Sequence, residues 1–175
     1  MSEIYLAGGC YWGVQKYMDS IRGVTETAVG FANGPTANPT YHQVRYEQTG
    51  HAETVRVVYD PAVLPLRALL RLFLRIIDPL SVDRQGEDAG HQYRTGVYWT
   101  DPADEDIVRA VLAEKAAALG QALAVEALPL ENFYPAETYH QKYLDKNPNG
   151  YCHVPFSEIA WVSTVDPMDF AEADA

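Results

Sequence analysis

Glu3-Ile4-Tyr5-Leu6-Ala7-Gly8-Gly9-Cys10-Tyr11-Trp12-Gly13-Val14-Gln15-Lys16-Tyr17-Met18 changes its hydrophobic period halfway, and that change decides the fold. Glu3–Ala7 alternates as a strand does, and Gly8-Gly9 breaks it. The spacing of Val14, Tyr17, Met18 and Ile21 then predicts a helix from Cys10 onward. Working outward, Gly23–Phe31 and Ala52–Tyr59 read as strands, the second with Val55 and Val57 on one face. Leu64–Ile77 predicts a helix with Leu66, Leu69, Leu70, Phe73 and Ile77 on one stripe and its arginines largely opposite. Tyr93–Trp99 reads as a strand. Asp101-Pro102 with Asp104, Glu105 and Asp106 marks a helix start, with a cap, a first-turn proline and acids at the positive dipole end. Ala124–Leu130 predicts a further strand and Glu137–Lys146 a short helix. The alternation is irregular, without a regular chain of βαβ units. It predicts an α+β fold, a two-layer sandwich of helices on a mixed, mainly antiparallel sheet. Gly150 onward shows little periodicity and reads as a long C-terminal coil; Asp166–Ala175, with four acids and no base, reads as a frayed tail.

Composition narrows the function. With 175 residues, 47% hydrophobic and 21% charged, the chain has enough apolar material for one globular domain with a real core. Its formal charge of −11 repels phosphate backbones and anionic lipid, so neither nucleic acid nor a membrane surface is an expected partner. The longest apolar stretch, Leu64–Pro79, is interrupted by Arg67, Arg71 and Arg75, too many charges for a bilayer span. Glu3 precedes a short apolar run that ends in glycines, which is not a signal-peptide pattern, and the expected location is cytoplasmic.

Two cysteines, Cys10 and Cys152, stand far apart, which fits neither a disulfide scaffold nor a zinc ribbon. Cys10 lies at a strand-to-helix junction, where unpaired N–H groups and the helix dipole favour a thiolate, with Tyr11 and Trp12 as a flat apolar wall. An isolated cysteine is otherwise an inert core thiol. Cys152 follows Asn147-Pro148-Asn149-Gly150-Tyr151, a run of turn formers that predicts a mobile, exposed segment, and is either a resolving thiol or an incidental one. Glu53 alternates with Val55 and Val57; it is either an ordinary strand-end glutamate or a buried carboxyl with a raised pKa. Gly86–Arg94 is a polar, glycine-punctuated loop containing Asp88 and Tyr93, and Tyr41 sits in another turn-rich stretch. The five histidines show no metal spacing, so no metal is expected, and the twelve tyrosines exceed what a core needs.

Together these segments resemble the A-type peptide methionine sulfoxide reductases, the enzymes specific for the S sulfoxide. The matching pieces run in order over nearly the whole chain, from about residue 3 to 155. They are Gly9-Cys10-Tyr11-Trp12-Gly13, Asn38-Pro39-Thr40-Tyr41, Thr49-Gly50-His51-Ala52-Glu53, Asp88 through Gln92-Tyr93-Arg94, and Tyr139-His140-Gln141-Lys142-Tyr143 on to Gly150-Tyr151-Cys152. Tyr11 stands where the family usually has phenylalanine, Ile77 where histidine is common, Asn33 in place of a usual glycine, and Arg45 where many members carry an extra cysteine. The further C-terminal cysteine of many relatives is absent, which implies a two-cysteine relay.

The resemblance implies a single catalytic domain over 1–155, a ferredoxin-like plait, with 156–175 as a C-terminal extension. It implies Cys10 as the nucleophile that attacks the sulfoxide sulfur. Glu53 would be a neutral donor to the sulfoxide oxygen, with the Tyr41 and Tyr93 hydroxyls completing that clamp. Tyr11 and Trp12 would cradle the methyl group, and Asp88 would order the pocket. Cys152 would resolve the Cys10 sulfenic acid as a disulfide that thioredoxin reduces. The substrate would be methionine sulfoxide, free or in oxidised proteins and peptides, and no cofactor is implied. The rival readings are a thiol peroxidase, a Cys-His acyl-transfer enzyme using His51 or His91, and a non-catalytic module that binds oxidised methionine.

Overall fold

The computed structural model describes residues 1–172. Its frame starts where the sequence changes period: β1 (Ser2–Gly8) ends at the glycines and α1 (Tyr11–Asp19) begins one residue after Cys10. β2 (Val24–Ala32), α2 (Tyr41–Tyr46), β3 (Ala52–Tyr59) and α3 (Leu66–Leu74) follow. A two-residue pair, β4 (Arg84–Gln85) and β5 (Asp88–Ala89), precedes β6 (Thr95–Trp99) and α4 (Glu105–Leu119). The chain closes with β7 (Glu126–Pro129), β8 (Phe133–Pro135), α5 (Tyr143–Lys146) and α6 (Phe156–Val162).

Six strands form one sheet in the order β7-β6-β1-β3-β2-β8. Its pairs are antiparallel except β6 with β7, which run parallel. This is the mixed, mainly antiparallel sheet with helices that the sequence pattern predicts. Period-two alternation sends Ile4 and Leu6 of β1, Val55 and Val57 of β3 and Val97 of β6 into one core with α1, α3 and α4. Tyr5, Ala7, Ala32, Ala52 and Tyr98 form a smaller cluster with Leu130 and Phe133. In α3, Leu69, Leu70, Leu72 and Phe73 are buried, each worth roughly 1.5–3 kcal/mol of transfer free energy. No helix among the described residues is long and apolar enough to cross a membrane.

Several expectations need correction. Tyr93 belongs to a 3-10 turn, His91–Tyr93, and the strand begins at Thr95. Glu137–Lys146 is broken into a 3-10 turn and α5, because Lys142 adopts φ +55° so that its N–H can donate to Gln15 Oε1 at 2.8 Å. The turn-rich stretch at Tyr41 is the helix α2, opened by a capping box between Thr40 and Gln43. The C-terminal segment is not coil. It forms α6 and a 3-10 turn at Pro167–Phe170, and Arg71 of α3 and Arg75 at its C-terminal cap hold both. Arg75 Nε donates to Glu158 at 2.6 Å with its guanidinium 4.0 Å from the Trp161 ring centroid, and Arg71 donates to the Phe170 carbonyl at 2.8 Å. Two of the three arginines that break the apolar run, Arg71 and Arg75, therefore dock the C-terminal segment, and the expected fraying does not extend to residues 166–172. Residues 173–175 of that tail lie outside the described residues.

Candidate active site

Cys10 is the N-cap residue of α1, held at the surface of the core by the glycine before it. Gly9 has φ +87°, and a β-carbon there would come within 2.6 Å of Gln85 Cβ, so any side chain would be both strained and crowded. Gln85 is itself clamped, its amide exchanging hydrogen bonds with the Asp78 backbone at 2.8 and 2.9 Å. Cys10 is buried, with 7% of the residue exposed. Burial, followed by the negative charges of Glu53 and Asp88, pushes its pKa well above the usual thiol value; the Trp12 N–H pulls the other way. The thiolate expected at a helix start is therefore not the resting state, because desolvation outweighs one backbone N–H.

Glu53 points into the helix-side core with Val55 and Val57, directly across from Phe31 on β2. It is 2% exposed. Its Oε1 accepts from the Tyr11 N–H at 3.3 Å, which ties the carboxyl to the residue next to Cys10. Burial raises its pKa to about 8, Asp88 adds to the rise, and the Tyr11 N–H and Arg45 oppose it. The carboxyl is protonated at neutral pH, and no hydrogen bond among the described residues uses Oε2. Its proton is available to a ligand.

Aromatic rings close over this pair. Trp12 stacks on Tyr143 at 3.7 Å between centroids and donates through Nε1 to His140 Nδ1 at 3.3 Å. Tyr11 is a floor more than a wall: it is 1% exposed, packed against Phe31, Tyr41 and His140, and its hydroxyl is buried without a partner among the described residues. Tyr41 is fixed by its N–H donating to Glu137 at 3.1 Å. Its ring lies 4.5 Å from that of His140. Burial and the charge of Glu53 push both the Tyr41 and Tyr93 hydroxyls to higher pKa, which places the two phenols in the field of the same carboxyl. Arg45 Nη1 reaches the Tyr93 hydroxyl at 2.8 Å and the Tyr41 hydroxyl at 3.5 Å. Beside them a cavity of about 630 Å³ opens between α2 and the loop that carries Asp88 and Tyr93.

The Cys152 segment is docked, contrary to the exposed, mobile loop expected from its turn formers. Tyr151 Oη donates to Asp88 Oδ2 at 2.9 Å, Cys152 Sγ to the Val154 carbonyl at 3.1 Å, and His153 Nε2 to the Gly8 carbonyl at 3.0 Å. Asp88 thus holds this strap as well as facing the pocket. Both cysteines are free thiols. Gly13 lies one helical turn beyond Cys10 and faces the strap, so Cys152 rests on the helix that Cys10 caps.

Cys10, Glu53, Tyr11, Trp12, Tyr41, Asp88, Tyr93 and Cys152 are therefore gathered around one helix start. Sequence reasoning assigned no role to His140, His153, Gln85 or Arg45. His140 lay within a matching motif, whereas Arg45 stood out only as a departure. His51 and His91 bond Thr49 and Asp83, and no histidine among the described residues hydrogen-bonds Cys10, so the pairing that a Cys-His acyl-transfer enzyme uses gains no support here. Among the described residues no three His, Cys, Asp or Glu side chains are grouped to hold a metal ion.

Comparison with known proteins finds similar chains of one family. The chain is 55% identical over 151 residues to the peptide methionine sulfoxide reductase MsrA of Lachnoclostridium phytofermentans, covering 86% of this chain and 91% of that protein. The reduced form of Mxr1 from Saccharomyces cerevisiae superposes with a TM-score of 0.82 at 37% identity, over 86% of this chain and 87% of that one. The structure of Mxr1 in complex with Trx2 is also similar, with a TM-score of 0.57 and 26% identity over 81% and 83% of the two chains. A sequence model described as peptide methionine sulfoxide reductase matches residues 2–165. The chain belongs to the peptide methionine sulfoxide reductase family.

Proposed function

We propose that this chain reduces methionine S-sulfoxide to methionine, with Cys10 as nucleophile, Glu53 as proton donor and Cys152 as resolving thiol. The observation that carries the proposal is the buried, protonated Glu53 carboxyl bonded to the backbone N–H of Tyr11, one residue from the Cys10 thiol. The sulfoxide oxygen becomes more basic as its sulfur is attacked, so a donor at that oxygen stabilises the transition state more than the bound substrate. Glu53 gives that proton, helped by the Tyr41 and Tyr93 hydroxyls, and the proton shed by the Cys10 thiol restores the carboxyl. Oxygen passes from the substrate sulfur to Cys10, which is oxidised to sulfenic acid while the sulfoxide is reduced to the thioether. The Cys152 thiol then displaces the hydroxyl, forming the Cys10–Cys152 disulfide and one water. The half-buried Trp12 ring offers an aromatic face for the substrate methyl group, with Tyr11 beneath it. Separate places for methyl and oxygen select one sulfoxide epimer.

The docked strap supports the relay, because Cys152 already rests against α1. The Mxr1–Trx2 complex supports a thioredoxin as the reductant of the disulfide. Residues 1–155 are the catalytic domain in this reading, and 156–172 a docked extension. The order β6-β1-β3-β2, with α1 between β1 and β2 and α3 between β3 and β6, supports the finer description of a ferredoxin-like plait. A thiol-dependent reductase that needs its cysteines free between turnovers fits the cytoplasm.

The test is reduction of the separated S and R sulfoxides of N-acetyl-methionine with dithiothreitol as electron donor. Turnover of the S form alone is expected, absent in Cys10→Ser. Cys152→Ser should release one methionine per enzyme without reductant. Turnover of neither epimer by protein with a free Cys10 thiol overturns the proposal.

A further inference from the structure

We infer that Arg45 is a positioning residue of this site: by donating to the Tyr93 and Tyr41 oxygens, its guanidinium directs both hydroxyl protons at the substrate oxygen. The inference rests on the sulfoxide reading above. Arg45 Nη1 lies 2.8 Å from Tyr93 Oη and 3.5 Å from Tyr41 Oη, so one nitrogen spans both phenols. A guanidinium carries donors and no acceptor, so at these contacts the tyrosine oxygens can only accept. No other hydrogen bond among the described residues uses either hydroxyl. Both protons are therefore unspent, and the side of each oxygen facing Arg45 is closed to them.

The helix provides the placement. Tyr41 and Arg45 stand four residues apart on α2, on one face of it, and the Thr40–Gln43 capping box fixes where that helix begins. Tyr93 comes from the loop beyond β5, and Arg45 bridges the two elements beside the cavity. A phenol that accepts from a cation is polarised and becomes a stronger donor. Arg45 also opposes the upward pressure that burial and Glu53 exert on both phenols, and it is the cation that pulls Glu53 downward. When Glu53 has given its proton, Arg45 is thus a nearby positive charge for the carboxylate. Arg45 itself is exposed, so its replacement leaves the core intact.

The experiment is single-turnover reduction of N-acetyl-methionine S-sulfoxide by the wild type and by Arg45→Met, Tyr41→Phe/Tyr93→Phe and the triple variant, with Arg45→Gln as a second replacement. Wild-type turnover in the same assay establishes the underlying reaction, so its absence counts against that reading and not against Arg45. Arg45→Met and Arg45→Gln are expected to slow the chemical step roughly tenfold with substrate affinity changed less than twofold. In the double-phenylalanine background the arginine replacement should then cost well under tenfold, because only its charge on Glu53 remains to be lost. An unchanged rate in both Arg45 variants, or the full tenfold loss repeated in the triple variant, overturns the inference.

Discussion

The sulfur of Cys152 lies 2.9 Å from the point where a β-carbon on Gly13 would stand. Val154 Cγ2 is 3.1 Å from the same point, so the strap carrying the second thiol fits α1 only because residue 13 has no side chain. Gly13 is the residue whose Cα faces the strap one turn after Cys10, and the two thiols are brought to one side of one helix by that fit.

Gly13→Ala should therefore separate the two half-reactions. The methyl group pushes the strap outward while Cys10 and Glu53 stay in place, and the helix gains up to about 1 kcal/mol of propensity. The first methionine should be released at close to the wild-type rate, with disulfide formation slowed at least about tenfold by the loss of proximity. Methionine release and loss of titratable thiols, followed together, check this. Wild-type disulfide formation in the variant would show that the fit has no part in the relay.

Replacing Glu53 tests the donor directly. Glu53→Ala should lower kcat/KM by about 10²–10³, the usual cost of removing a donor to a developing oxyanion. Glu53→Gln, which keeps an N–H donor, should lose about tenfold less. The wild-type rate should fall as pH rises through about 8, where the carboxyl ionises, and that limb should vanish in Glu53→Gln. Equal losses in the two variants would remove the donor role.

The same carboxyl makes stability depend on pH. Its folded pKa is about 8, against an ordinary value of 4.5, so the folded state holds a proton that the unfolded state has released. That contribution is fully present below pH 4.5 and is lost as pH rises to about 8. The stability gained by Glu53→Gln over the wild type should grow across this window, by on the order of 5 kcal/mol at its end. Urea unfolding of both proteins at pH 4 and pH 8.5 measures it; a pH-independent difference contradicts the raised pKa.

Tyr11→Phe should stabilise the protein. The Tyr11 hydroxyl is buried and unpartnered, and an unsatisfied buried hydroxyl costs about 1–3 kcal/mol. Removing one oxygen leaves the ring contacts with Phe31, Tyr41 and His140 in place. The urea midpoint should rise, with sulfoxide reduction within about twofold of wild type, since the proposed site uses the ring and not the hydroxyl. A lower midpoint would mean that the hydroxyl has a partner worth more than its desolvation.

The elements legible in the sequence were those whose cause is local. The strand before Gly8 and the helix after Cys10 follow from periodicity and from glycine, and β3 runs over the predicted Ala52–Tyr59. The start at Asp101-Pro102 is a 3-10 turn that opens α4, its Asp101 side chain accepting from the Ala103 N–H. Glu137–Lys146 misled because its helical spacing is real, but Gln141 spends its side chain on the backbone of Val29 and Lys142 turns back to Gln15. The C-terminal helix α6 was missed because it is short and its stability comes from Arg75 and Trp161.

The sequence by itself determined the period change at Cys10, the alternation that turns Glu53 inward, and the set of residues available for chemistry. These depend on neighbours a few positions away, through backbone sterics and side-chain direction. Only the tertiary structure decided what those residues are. It buries Cys10 until its thiol outlasts the helix dipole, and it raises Glu53 by removing water on every side. It sets Arg45 against Tyr93, Trp12 against His140 and His153 against Gly8, contacts 48, 128 and 145 positions apart. Desolvation and long-range hydrogen bonds arise when distant segments pack, and protonation state and donor direction are decided at that stage.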